Sequence, residues 1–112
     1  FAADYCVPCR KELAELSTRE ARFRSLGAHY VVVINDKLEA EREKMAAHLR
    51  DELDLFVPIV FDTRGRMISR RYGVRSLPHT VLIDRAGNIA WVGNGYEGPQ
   101  SLDELEARIE RL

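Results

Sequence analysis

Apolar residues recur along this chain in two alternating rhythms. From Cys6 to Leu26, Cys9, Leu13, Leu16 and Phe23 fall at near-helical spacing, which predicts a helix with one apolar face. Pro8 suits its first turn, where a missing N–H is no loss, and Gly27 ends it. Tyr30-Val31-Val32-Val33-Ile34 then switches to a short β-branched run, apolar on both faces, which predicts a buried parallel strand. Asp36 with Glu39 resembles a capping box, and Leu38, Met45, Leu49 and Leu53 give the following helix one apolar face. Val57 to Phe61 reads as the next strand, with Pro58 at its entry, and a short helical turn over Met67 to Tyr72 is closed by Gly73. His79 to Asp84 and Ile89 to Val92 alternate as two strands joined by Arg85-Ala86-Gly87-Asn88, an antiparallel hairpin. Ser101 with Glu104 predicts the cap of a last helix through Leu102, Leu105, Ile109 and Leu112.

Phe1 to Ala3 reads as the last piece of a further strand, so the order is strand, helix, strand, helix, strand, short helix, hairpin, helix. Strands separated by helices form right-handed crossovers and a parallel sheet, and the hairpin adds an antiparallel end. The expected architecture is a three-layer α/β domain with a mixed sheet and helices on both faces, its first core strand truncated. At 112 residues it is expected to be a single domain over residues 1–112, large enough to bury a core without staples.

Charge narrows the function. Lys and Arg number 17 against 18 Asp and Glu, so no basic surplus is available for a nucleic acid or an acidic lipid surface. The longest apolar run, Tyr30 to Ile34, is far short of the ~20 residues a membrane span needs, and no signal peptide is visible ahead of Phe1.

The two cysteines carry the chemistry. Cys6-Val7-Pro8-Cys9 lies where a strand gives way to a helix, so the free amides and dipole of the first turn face the Cys6 sulfur. Such surroundings lower a thiol pKa from about 8.5 toward 7 or below, and the thiolate is the species that attacks a disulfide. Cys6 is the expected nucleophile. Cys9, one turn on and on the face shared with Leu13 and Leu16, is the expected buried resolving thiol. A zinc site lacks ligands, because no second cysteine pair exists and His29, His48 and His79 do not have finger spacing. A purely structural bridge across so short a loop would remove little chain entropy. No metal or separate cofactor is expected; the redox group is the Cys6–Cys9 pair itself.

Phe1-Ala2-Ala3-Asp4-Tyr5-Cys6-Val7-Pro8-Cys9-Arg10-Lys11-Glu12-Leu13 resembles the active-site segment of the thioredoxin superfamily, closest to its TlpA/ResA-like branch of extracytoplasmic thiol-disulfide oxidoreductases. Tyr72-Gly73-Val74-Arg75-Ser76-Leu77-Pro78-His79-Thr80-Val81-Leu82-Ile83-Asp84 is similar to the loop and strand that bear that superfamily's cis-proline, and Gly87-Asn88-Ile89 matches the turn after it. The resemblance implies that Pro78 is cis and faces the cysteines, and that Leu77 offers backbone groups to an extended substrate. It implies that Glu12 moves protons to and from the buried thiol, as a glutamate does at that position in the branch. Glu12 lies three residues from Cys9, so on a helix it flanks the apolar face, where burial would raise its pKa toward neutrality. The alternative is a solvated glutamate among Arg10, Lys11 and Glu15.

The chain also departs from the branch pattern. Ala2 and Tyr5 stand where tryptophans are usual, and Tyr5 is placed to pack beside the cysteines and touch substrate. His79 stands where threonine is common and is read as ordinary strand packing. Arg70, Arg71 and Arg75 cluster before the proline loop, a solvated face that could bias partner choice. Branch relatives carry a full apolar strand, and a signal or membrane anchor, before the segment that begins here at Phe1, so the chain is expected to be a piece of a longer polypeptide. The implied activity is thiol-disulfide exchange, reducing a protein disulfide with electrons from a thiol-disulfide donor in an extracytoplasmic compartment. Two alternatives are a peroxiredoxin-like thiol peroxidase and a redox-inactive binding module. The first needs a P-x-x-x-T-x-x-C segment, and Phe1 to Tyr5 contains neither proline nor threonine; retention of both cysteines with Pro78 counts against the second.

Overall fold

A computed structural model describes all residues from Phe1 to Leu112. Its elements are α1 (Val7–Ser25), β1 (Val32–Ile34), α2 (Glu39–Ala47), β2 (Ile59–Phe61), α3 (Met67–Arg71), β3 (His79–Ile83), β4 (Ile89–Asn94) and α4 (Pro99–Glu110). A π-helical turn, His48–Glu52, continues α2.

Strands β1 and β2 pair in parallel with Val33 opposite Val60, and β3 and β4 pair antiparallel with Val81 opposite Val92. The segment entering the cysteine pair joins these two ladders. On one side Ala2 donates to Val33 O at 2.9 Å and accepts from Asn35 N–H at 2.8 Å, a parallel bridge to β1. On the other, Phe1 and His79 exchange both backbone bonds, at 2.8 and 3.2 Å, the signature of an antiparallel hydrogen-bonded pair. The order across the molecule is β2, β1, Phe1–Ala3, β3, β4. The chain leaves the middle of this mixed sheet directly into α1.

Helix α1 follows its apolar spacing: Cys9, Leu13, Leu16 and Phe23 are its buried residues. It ends in a Schellman arrangement, with Ala28 N–H on Phe23 O at 3.0 Å and Gly27 N–H on Arg24 O at 2.9 Å. Gly27 sits at φ 85°, where a side chain would be strained. Helix α4 lies along α1, tied to it by Arg19 to Asp103 at 2.6 Å and Arg22 to Glu106 and Glu110 at 3.2 and 2.9 Å. Leu102, Leu105 and Ile109 of α4 join Met45, Ala46 and Leu49, Val32, Ile34 and the α1 face in one apolar core. Phe23, Ile34, Met45 and Leu49 are wholly buried, and cutting any of them back to alanine would cost about 2–5 kcal/mol.

Several sequence expectations are corrected at element ends. Asp36 does not cap α2: the cap residue is Leu38, no side chain bonds there, and Leu38 points outward at 62% exposure. The Asp36 carboxylate instead takes Asp4 N–H at 2.8 Å, because a long-range partner in the loop before the cysteines competes successfully for it. Ser101 does not cap α4 either. The helix starts at Pro99 after Gly98, and the Ser101 hydroxyl accepts Glu97 N–H at 3.2 Å. The first parallel strand is shorter than Tyr30 to Ile34, with Val31 exposed, and β2 omits Val57 and Pro58. Pro58 nonetheless contributes its carbonyl, which accepts Val32 N–H at 3.0 Å.

Candidate active site

Cys6 is the N-cap of α1, in extended conformation, and its sulfur accepts the N–H of Cys9 at 3.2 Å. A cap side chain ordinarily does this with oxygen. Pro8 occupies the first turn, where it removes a donor that would have had no intrahelical partner. Cys6 and Cys9 are joined as a disulfide with Cα atoms 5.2 Å apart. The pair is asymmetric in access: Cys9 is 0% exposed and Cys6 7%. Burial on the shared face of Leu13 and Leu16 explains the first, and the helix-start position explains the second.

The approach to the pair is fixed by charge. Asp4, between the sheet and Cys6, holds Arg10 of α1 at 2.7 Å and Lys44 of α2 at 3.6 Å while its N–H is bonded to Asp36.

Opposite the disulfide runs the loop between α3 and β3. The Leu77–Pro78 peptide is cis and Pro78 is fully buried. A groove of about 480 Å³ lies between this loop and the helix start, lined by Cys6, Tyr5 and Pro8 on one side and by Val74, Ser76 and Leu77 on the other. Tyr5 is 70% exposed, so its ring is available at the groove rather than packed away. The structure thus brings Cys6, Tyr5 and Leu77 to one groove, with Pro78 behind it and Cys9 beneath.

Glu12 is half-buried on α1, and desolvation raises its pKa from 4.5 to about 7, with the Phe1 amine opposing the shift. It lines a separate cavity of about 20 Å³ together with Thr80, Trp91 and Ser101. That volume holds about one water molecule. His79 is buried, its Nδ1 2.8 Å from Asn94 Oδ1 and its ring edge-on to Phe1, as a packing residue would be.

Two features escaped the sequence. Arg66 lines the groove beside Arg75, whereas Arg70 and Arg71 lie on α3 and do not. Behind the loop, buried Asp62 accepts the N–H groups of Thr63, Ile68 and Ser69 at 2.8, 3.0 and 3.1 Å and the Ser69 hydroxyl at 2.5 Å, while Asn35 donates to Ser69 Oγ at 2.5 Å. This network ties the end of β1 to the start of α3. The only sequence signal for it was an Asp and a Ser around a short helix, a pattern too common to single out.

The model of the AhpC/TSA family matches residues 1–92. The chain is 29% identical over 110 residues to thiol-disulfide oxidoreductase ResA of Halalkalibacterium halodurans, covering 98% of this chain and 60% of that protein. It is 29% identical over 110 residues to the thioredoxin-like protein YneN of Bacillus subtilis, covering 98% and 61%. It therefore spans about 60% of the length of these curated relatives. Among solved structures it superimposes on one described as thiol:disulfide interchange protein DsbE from Chlorobium tepidum, with a TM-score of 0.78, 26% identity and coverage of 96% of this chain and 72% of the other. StoA from Bacillus subtilis matches in fold at a TM-score of 0.72 and 24% identity, covering 95% and 78%. The mixed α/β architecture is the thioredoxin-like one expected from the sequence.

Proposed function

We propose, from the premise that this chain belongs to the AhpC/TSA family of thioredoxin-like proteins, that it is a thiol-disulfide oxidoreductase that reduces a protein disulfide through Cys6 and Cys9. The observation that carries this reading is a cysteine pair at a helix start whose outer sulfur accepts a backbone N–H and opens on a groove walled by the Leu77–Pro78 loop.

The exchange runs in two displacements. Cys6 thiolate attacks one sulfur of the partner's disulfide, forming a mixed disulfide and releasing the other partner sulfur as thiolate. Cys9, deprotonated, attacks the Cys6 sulfur, closes the Cys6–Cys9 bond and releases the second partner sulfur. Two electrons pass from the protein dithiol to the partner, and the two protons lost from Cys6 and Cys9 are regained by the partner's thiolates through solvent and Glu12. The Cys9 N–H directed at the Cys6 sulfur favours the attacking thiolate in the first step. Tyr5 and the Leu77 backbone position the substrate segment.

Glu12 serves the second step. Its pKa of about 7 leaves it able both to accept and to give up a proton at neutral pH, and it stands one helical turn from Cys9. Glu12 also lines, with Thr80 and Ser101, a cavity with room for about one water molecule, which supports exchange of its own proton with water. No separate cofactor takes part in this scheme. Its electrons come from a thiol-disulfide donor, and the setting is an extracytoplasmic compartment, a reading supported by the resemblance to the ResA-like branch. No helix is long and apolar enough to cross a membrane.

The test is a trap. Cys9→Ser protein incubated with a disulfide-containing protein should accumulate a covalent adduct through Cys6 that dithiothreitol releases. If no adduct forms with Cys9→Ser, or if one forms equally well in Cys6→Ser, the assigned roles are wrong.

A further inference from the structure

We infer that the groove beside Cys6 selects disulfides flanked by acidic residues, with Arg66 and Arg75 as its specificity-determining side chains. The inference rests on the reductase reading and names the substrate class for that site.

The groove's lining is largely apolar, and its only charged side chains are Arg66 and Arg75. Both are exposed, and neither forms an ion pair within the fold. Arg10, Arg19, Arg22, Arg24 and Arg108 each hold a carboxylate; among the arginines that do not, Arg66 and Arg75 are the two that line the groove. The carboxylates nearest in sequence are already engaged. Asp4 holds Arg10 and Lys44, and Asp62 is buried and committed to Thr63, Ile68 and Ser69. The whole chain carries a net charge of −1, so the positive charge that Arg66 and Arg75 bring to the groove is a local surplus.

Backbone geometry gives a second, independent indication. Arg66 sits at φ 54°, ψ 41°, in the left-handed region where glycine or asparagine is at ease and a long side chain is not. Its N–H is held by Thr63 O at 2.8 Å, and the Asp62 network fixes the turn around it. Arg66 is thus an unpaired cation held at the rim of the site in a fixed backbone conformation. Guanidinium groups pair carboxylates in two-pronged fashion, so aspartate or glutamate beside the target disulfide is the complementary chemistry.

The experiment compares three peptides with the same intramolecular disulfide, flanked by two glutamates, two serines or two lysines. Their reduction by the reduced wild-type protein is followed in single turnover, each rate divided by that peptide's rate with dithiothreitol to remove intrinsic reactivity. At low ionic strength the glutamate peptide should react about three- to ten-fold faster than the serine peptide, and the lysine peptide slowest, the range expected for two exposed charge pairs. At ~1 M salt, where the screening length is about 3 Å, the three should converge. They should also converge in the doubly substituted Arg66→Asn, Arg75→Gln protein, in which asparagine suits the left-handed position, and Arg75→Glu should invert the order. Equal normalised rates in wild type, or a preference that survives the double substitution, would overturn the acidic selectivity while leaving the reductase reading intact. Failure to reduce even the serine peptide would overturn both.

Discussion

The backbone N–H of Cys9 points at the Cys6 sulfur from 3.2 Å, so the inner cysteine supplies, through its amide, part of the stabilisation that makes the outer one reactive. On reduction, a thiolate at Cys6 keeps that donor and the helix dipole behind it, whereas Cys9 is 0% exposed. Cys6 should therefore be alkylated first. The same donor and dipole favour the thiolate over the thiol, so more of Cys6 than of a free cysteine is in the reactive form at neutral pH. Limiting iodoacetamide followed by peptide mass spectrometry reads this directly; preferential labelling of Cys9 would exchange the two roles.

Glu12 makes the fold's stability depend on pH in an unusual direction. Its pKa rises from 4.5 when unfolded to about 7 when folded, so the folded state binds the extra proton between those values. The protonated side chain is tolerated without penalty below about pH 4.5, and stability falls as pH rises through about 7. Glu12→Gln removes that titration. Relative to wild type, the variant should gain about 2–3 kcal/mol between pH 4 and pH 8 in urea unfolding of the oxidised protein. Its cysteines should also titrate at lower apparent pKa, because a negative neighbour is gone. A pH-independent difference would mean that Glu12 is solvated.

Asp62 has the opposite sign. Burial pushes its carboxyl up, but the hydroxyl of Ser69 and the N–H groups of Ser69, Ile68 and Thr63 outweigh it and hold the pKa below the ordinary 3.8. Its contribution is present above that ordinary value and is lost as pH falls through the lower folded one. Asp62→Asn puts an amide donor against the donors of Ser69 and should cost about 2–3 kcal/mol at pH 6, a gap that narrows in strong acid. Denaturant midpoints at the two pH values check it.

The redox couple should be moderately reducing. Val7 and Pro8 place neither a cation nor a histidine between the cysteines, so the reduced thiolate has no exceptional stabilisation. A potential on the order of −220 to −270 mV is expected from glutathione titration, and a value near −120 mV would mark an oxidase instead.

The parts of this account legible in the sequence are those written by local rules or by paired motifs. Helix α1, its start at the cysteines and its end at Gly27 follow from spacing and turn chemistry within the segment itself. The cis Leu77–Pro78 peptide agrees with what resemblance implied. Where competition between distant groups decided, local signatures failed: Asp36 carries a capping pattern, yet its carboxylate is claimed by Asp4 N–H, 32 residues away. Arg66 was invisible for the same reason, since only the fold of the turn after Asp62 brings it to the groove in place of Arg70 or Arg71.

The central claim is two-electron exchange with a disulfide, and one measurement bears on it most directly. Reduced wild-type protein is mixed separately with an equimolar peptide disulfide and with hydrogen peroxide at neutral pH, and its oxidation is followed by mass spectrometry of the intact chain. Reaction with the disulfide should be the faster, each chain losing two hydrogens as Cys6–Cys9 closes while two peptide thiols appear per chain oxidised. Faster oxidation by peroxide, or oxidation by the peptide without release of two thiols, would contradict the account.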